Sequence, residues 1–265
     1  MRASTFLNAG RAGALLLMCL AAFAQPDPQL TFEVGSVRRS PPGETNCVVR
    51  PAPGGERYVA ACAPVRNIIS TASWIRFDQV IGGPNWLDND PYDITGVAAR
   101  PSTISELHIM MQNLLVERFK LQIHHETREQ QAYVLTIDKS GPRNLKSHPP
   151  TYASDLNVQE TRDGLHDKLS FTATPIAYLV WLLTIRVDGA VVNQTGIQGS
   201  FDFDLAYTFE PAPPNPNATA DAPILDDSGP RLAEALRDQL GLRLDVRKVP
   251  VDYLVIDHAE RPAEN

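Results

Sequence analysis

Asp88, Asp90 and Asp93, set beside Trp86 and Tyr92, form the densest gathering of carboxylates and aromatic rings in this sequence. Carboxylates at that spacing could hold calcium, but the ion needs six or more oxygens, and the EF-hand pattern with its Gly and distal Glu is missing. Paired carboxylates could also serve a glycosidase, yet nothing sets an acid apart from a nucleophile. The plainer chemistry is turn formation, since Asp and Asn side chains bond local backbone. His124 and His125 invite a metal, but neighbours on a strand point to opposite faces and could not easily share one ion. Nucleophilic catalysis lacks a Gly-x-Ser-x-Gly elbow, and Gly199-Ser200-Phe201 precedes a strand instead of joining strand to helix. Asp202 and Asp204 alternate with Phe201, Phe203 and Leu205, as on a strand with one charged face. No catalytic residue, metal ligand or cofactor is therefore expected. Recognition remains. Trp86 and Tyr92 offer large apolar area with a polar tip, the residue types that dominate binding hot spots, and Asp88 and Asp90 would supply a charged rim. Gly82-Gly83-Pro84 would shape that turn. The competing expectation is that Trp86 plugs the core beneath the loop. Trp74 and Trp181 could line a groove with it, although Trp181 sits in an apolar helix and reads as core.

Residues this sparse in chemistry must be positioned by elements, and the N-terminus indicates where those elements fold. Arg2 and Arg11, the apolar run Ala12–Phe23 and Ala22-Phe23-Ala24 read as a secretory signal peptide over residues 1–24, cleaved after Ala24. The run is shorter than the roughly 20 residues that span a bilayer. Lipidation at Cys19 would need a small residue where Met18 stands. The formal charge is −7, and loss of Arg2 and Arg11 makes the mature chain more acidic still. Such a chain has no reason to seek nucleic acid. Without Cys19, Cys47 and Cys62 remain, an even pair in an oxidising compartment, and a disulfide is expected between them. The periplasm or the external medium is the expected location.

Periodicity then gives the elements. Leu30–Val37 alternates as a strand, Pro41–Gly55 is Pro/Gly-rich loop, and Tyr58–Ala61 leads into a helix over Pro64–Ala72. An irregular stretch enters a strand at Tyr92–Ala98. Thr103 and Glu106 are spaced as a capping box, followed by Leu107, Met110, Met111, Leu114 and Leu115 at helical spacing. Two strands, Phe119–His124 and Ala132–Asp138, close the unit, and 141–168 reads as a linker. A second series follows: strand Leu169–Thr172, helix Pro175–Thr184, a short extended piece Val191–Asn193 and strand Phe201–Tyr207. Pro211–Asp221 reads as an insertion without periodicity. Helix Arg231–Leu240 ends at Gly241, and strands Leu242–Val246 and Tyr253–Asp257 complete the series.

The two series are alike. Tyr92-Asp93-Ile94 returns as Phe201-Asp202-Phe203, Lys120–Ile123 as Arg243–Val246, and Tyr133–Asp138 as Asp252–Asp257. The expected fold class is α+β: two tandem pseudo-repeats, each β-α-β-α-β-β, over 25–140 and 169–265, with an additional N-terminal strand.

Several stretches resemble a bacterial family of unknown function, the soil-associated protein family abundant in Acidobacteria. They are Phe32–Val37, Gly82–Leu87 with Tyr92-Asp93-Ile94, Leu115–Leu121, Thr195–Phe203 and Val255–Pro262. The resemblance covers essentially the whole mature chain and implies an exported protein with no assigned activity. Relatives joined to membrane-embedded peptidase-type sensors imply an extracytoplasmic sensing or interaction role. More weakly, the second series is similar to the short N-terminal domain of secretins and TonB-dependent transducers, an envelope interaction module; fold likeness alone does not transfer function. The expected function is a non-enzymatic binding or interaction module, its partner an envelope protein or a small extracellular ligand. The alternative is an exported hydrolase with a site assembled from scattered residues.

Overall fold

The computed structural model describes residues 30–149, 157–209, 226 and 228–263. The expected signal peptide, Cys19 and the insertion at Pro211–Asp221 lie outside the described residues. The chain lays down β1 (Val34–Arg39), β2 (Val48–Pro51), β3 (Arg57–Pro64), α1 (Val65–Ser73), β4 (Val80–Gly82), the one-turn α2 (Trp86–Asn89), β5 (Pro91–Val97) and α3 (Ile104–Phe119). It continues with β6 (Gln122–Ile137), β7 (Lys146–His148), β8 (Asn157–Asp163), β9 (His166–Pro175), α4 (Ile176–Arg186), β10 (Val191–Asn193) and β11 (Ser200–Thr208). The last elements are α5 (Leu232–Ala235), which passes into a π turn over Leu236–Leu240, and β12 (Leu242–His258). The class is α+β, with three four-stranded sheets among the described residues.

Local signals account for much of this. Tyr92, Ile94 and Gly96 of β5 turn inward while the residues between them stay half-exposed, the period of a strand with one covered face. The Thr103 hydroxyl accepts the Glu106 N–H at 3.2 Å, and the Glu106 carboxylate accepts the Thr103 N–H at 2.7 Å. The capping box therefore starts α3 where the spacing places it. Gly241 ends the π turn at φ 65°, and a Cβ there would meet the Gly141 carbonyl, so both conformation and close approach require glycine. Cys47 and Cys62 form a disulfide with Cα atoms 4.9 Å apart, tying the approach to β2 onto β3.

The first sheet runs β1-β5-β3-β2 and the third β7-β11-β9-β8, both antiparallel throughout. The middle sheet, β10-β6-β12-β4, joins them. In it β6 and β12 pair antiparallel from Leu242 opposite Ile137 to His258 opposite Gln122. β4 runs parallel to β12, and β10 runs parallel to β6.

Each expected pair of closing strands is one long strand. Phe119–His124 and Ala132–Asp138 belong largely to the single strand β6, and Leu242–Val246 and Tyr253–Asp257 to the single strand β12. The polar stretch Glu126–Gln131 looks like a turn because it has no apolar face. Its backbone is instead satisfied by Val249, Val251 and their neighbours from the other end of the chain. Pro41–Gly55 carries β2, and the stretch 141–168 carries β7 and β8. Their short or mostly exposed strands leave little alternation to read.

The cores are exchanged in the same way. Leu254 and Ile256 of β12 are buried in the first core, among Tyr92, Leu87 and Phe119. Leu135 of β6 is buried in the second, among Leu179, Leu183 and Leu242.

Candidate functional site

The residues singled out around Gly82–Tyr92 are largely consumed by structure. Arg66 rises from α1 with its side chain buried and donates to the carbonyls of Val80 and Gly82, both at 2.8 Å. It also pairs with the Asp88 carboxylate, Nη2 lying 3.1 Å from Oδ2. An arginine is favoured here because its fork serves a carboxylate and two carbonyls at once. Asp90 lies between Arg39 at 2.9 Å and Arg261 at 3.0 Å. Trp86 is half-buried, stacked on Phe119 with centroids 6.1 Å apart, and the Arg261 guanidinium stands 5.3 Å above its ring. Tyr92 is fully buried in the first core. It therefore cannot meet a partner, which corrects the expectation drawn from its residue type.

Asp93 and Asp202 share a different task. Each faces a bulge whose non-glycine residue has positive φ, Cys62 at 42° and Ala173 at 51°. Asp93 Oδ1 accepts the Cys62 N–H at 3.0 Å and the Ser40 hydroxyl at 2.7 Å. Asp202 Oδ1 accepts the Ala173 N–H at 2.8 Å and lies 2.8 Å from His148 Nδ1. Burial would raise the Asp93 carboxyl, but the Cys62 amide, Ser40 and Arg38 outweigh it and hold it below its ordinary range. His124 and His125 lie 2.8 and 2.7 Å from different carboxylates, Asp257 and Asp252.

The concavity with recognition chemistry lies elsewhere, where the two halves of the chain meet. It has a volume of about 490 Å³ and is walled by β2 with its following turn, the end of α1, the start of α3, the start of β8, and α4. That volume falls within the roughly 300–1,000 Å³ common for small-ligand sites. Trp74 enters from α1, Tyr178 and Trp181 from α4, and His108 from α3. Trp74 reaches the cleft because it caps α1 in the left-handed region, φ 52°, its N–H bonding back to the helix. Its ring packs 4.6 Å from His108, which also meets Tyr58 edge-on at 5.2 Å.

Arg76 ties the walls together. It donates to the Thr184 carbonyl at 3.3 Å and pairs with Asp188 at 3.0 Å, both at the end of α4, while also gripping Asp78. His108 is buried, and burial pulls its pKa down to about 4, against backbone bonds to Ala72 and Thr71. With Nδ1–H on the Ala72 carbonyl at 3.2 Å, the neutral ring presents Nε2 as an acceptor.

A family model described as "Protein of unknown function (DUF3738)" matches residues 66–259. The chain belongs to that family. No curated protein and no solved structure matches it. The matched span takes in all the cleft residues on α1, α3, β8 and α4, while β2 and the Cys47–Cys62 bridge lie ahead of it.

Sequence reasoning offered Trp74 and Trp181 as possible groove residues but missed His108, Tyr178 and the remaining walls, because the lining comes from five separated segments. The detectable signal was the apolar helix carrying Trp181, read as core. Among the described residues, no group of three or more His, Cys, Asp or Glu could hold a metal ion. No helix there is long and apolar enough to cross a membrane. A second concavity, of about 420 Å³, borders Asp167, whose sealed carboxylate is engaged by the Tyr207 hydroxyl at 2.8 Å.

Proposed function

We propose that this protein is an exported, non-catalytic binding module whose ligand seat is the cleft between its two halves. The observation that carries the reading is the cleft lining: three large aromatic side chains, Trp74, Tyr178 and Trp181, beside a neutral histidine and, among the described residues, with no carboxylate. Aromatic walls with a few polar groups suit recognition. Turnover would need a nucleophile and an oriented base, and here the histidine is held by a backbone carbonyl instead of a carboxylate. Export rests on residues 1–24, and the Cys47–Cys62 bridge suits an oxidising compartment such as the periplasm or the external medium.

The two halves are, in this reading, copies of one unit that exchange their short parallel strands. The matching sheet orders, the Asp93 and Asp202 clamps, and the left-handed residues Lys120 and Gly241 after the second helix of each copy support this. The copies then align Lys120 with Gly241, two residues ahead of the correspondence read from sequence.

The test is a thermal-shift and tryptophan-emission screen of the full chain with saccharides, short peptides and aromatic acids, each mixture then analysed by mass spectrometry. A ligand that raises the midpoint and is recovered unchanged is expected. A product that accumulates with wild type and disappears with His108→Gln would overturn the reading in favour of the hydrolase.

A further inference from the structure

We infer that the inter-half cleft takes a neutral saccharide, an inference that rests on the binding-module reading above. The Thr71 and Tyr178 hydroxyls and the Asn157 side-chain amide line the cleft without a hydrogen-bond partner among the described residues, and His108, held through Nδ1 on the Ala72 carbonyl, lines it beside them. His108 itself is only 5% exposed, and burial holds its ring neutral, so the histidine lining this aromatic recess is uncharged. Partly buried Trp74, Tyr178 and Trp181 supply the faces. Neutral donors and acceptors beside indole and phenol rings match one ligand chemistry closely. A sugar ring has an apolar C–H face to lay on an aromatic ring and a rim of hydroxyls that both donate and accept.

Charge and backbone argue against other occupants. Among the described residues the lining has no Asp or Glu to receive a cationic ligand, its histidine stays neutral, and Arg50 is its one charged residue. An extended peptide would seek a sheet edge, and β2 is the edge strand at this wall. The Ala52 N–H bonds to the Arg57 carbonyl, so ladder alternation turns the backbone of Val49 and Pro51 away from β3 and toward any added strand. Pro51 has no N–H, which leaves Val49 as the lone outward donor of the strand and makes this edge a poor template for strand addition. A saccharide needs no such ladder.

The experiment titrates the full chain with maltohexaose, cellohexaose, xylohexaose, mannohexaose and fully N-acetylated chitohexaose, following tryptophan emission and saturation-transfer NMR. At least one should shift the emission and show transfer to its ring C–H protons. Trp181→Ala, with an unchanged thermal midpoint, should weaken that binding about tenfold, the scale of one lost aromatic contact. Val246→Thr, an exposed change on β12, should leave it intact. Thr71→Val, which removes the hydroxyl and keeps the shape, should weaken the saccharide and spare an apolar probe such as indole. Saccharide binding that survives both Trp181→Ala and Trp74→Ala would place it outside the cleft and overturn the inference. If no saccharide binds while a peptide or an aromatic acid shifts the emission through Trp181, the saccharide inference falls and the binding module stands. If no compound of any class perturbs Trp74 or Trp181, both fall.

Discussion

His108 carries a consequence for acid stability that follows from burial alone. Its folded-state pKa lies at about 4 against an ordinary value of 6.5, because burial disfavours the imidazolium. Between those values the unfolded chain binds the proton and the folded chain refuses it. Stability contributed by this residue is therefore complete above pH 6.5 and falls as pH drops toward 4. The full loss is on the order of 3 kcal/mol for a shift of that size. Urea denaturation at steps from pH 7 to pH 4 should show a wild-type decline that is shallower in His108→Gln, which keeps a polar side chain but does not titrate. Equal slopes in the two proteins would mean that His108 protonates freely in the folded state. Tyr58, packed edge-on to His108 with its own hydroxyl buried and unpartnered among the described residues, is likewise pushed to a higher pKa by burial. The ring pair is thus an uncharged block behind the cleft across the neutral range.

At the scale of elements, the cleft depends on where β2 stands. This strand has four residues and one strand neighbour, so its own ladder holds it weakly. The Cys47–Cys62 bridge anchors its entry to the bulge of β3, and Asp93 fixes that bulge from β5. Closing a loop of this length stabilises a fold by roughly 3 kcal/mol, chiefly through the unfolded chain. Mild reduction, or the double change Cys47→Ser with Cys62→Ser, should lower stability by about that amount in a denaturant titration. It should also weaken any cleft ligand, because Val49 and Pro51 lose their fixed position. Unchanged ligand affinity after reduction would show that β2 is held by its contacts with α1 and α3 alone. The facing wall has different support: Arg76 binds the end of α4 and removes the need for a covalent tie there.

The whole molecule is held together by exchange between its halves. Leu254 and Ile256 from the end of the chain complete the first core, and Leu135 from the middle completes the second. Neither half can lose its fold without exposing apolar surface of the other, so one cooperative transition is expected. Single-tryptophan variants retaining Trp86 in the first half or Trp181 in the second should report the same urea midpoint, coincident with far-UV circular dichroism. Two separated midpoints would show that the β6–β12 ribbon yields before either core. Such a separation would begin at the ribbon. Glu126–Glu129 is exposed, and of the apolar residues opposite it only Val251 is buried, in a small cluster with Val249, Ala132 and Val134.

Patterns confined to a few neighbouring residues were determined by the sequence itself. The Thr103–Glu106 cap, the end of the last helix at Gly241, the strand over Tyr92–Ala98, and the pairing of Cys47 with Cys62 each follow from local stereochemistry or from elimination. Tertiary structure decided whatever required a distant partner. Glu126–Gln131 carries the polar composition of a turn and becomes strand because β12 supplies its hydrogen bonds from more than a hundred residues away. Asp88 and Asp90 look free in sequence and are taken by Arg66, Arg39 and Arg261. Tyr92 looks like an anchor and is buried, whereas Trp181 looks like core and lines a cleft. A residue's type sets what it can bond. Which of its faces meets water depends on elements that the chain brings alongside only when it folds.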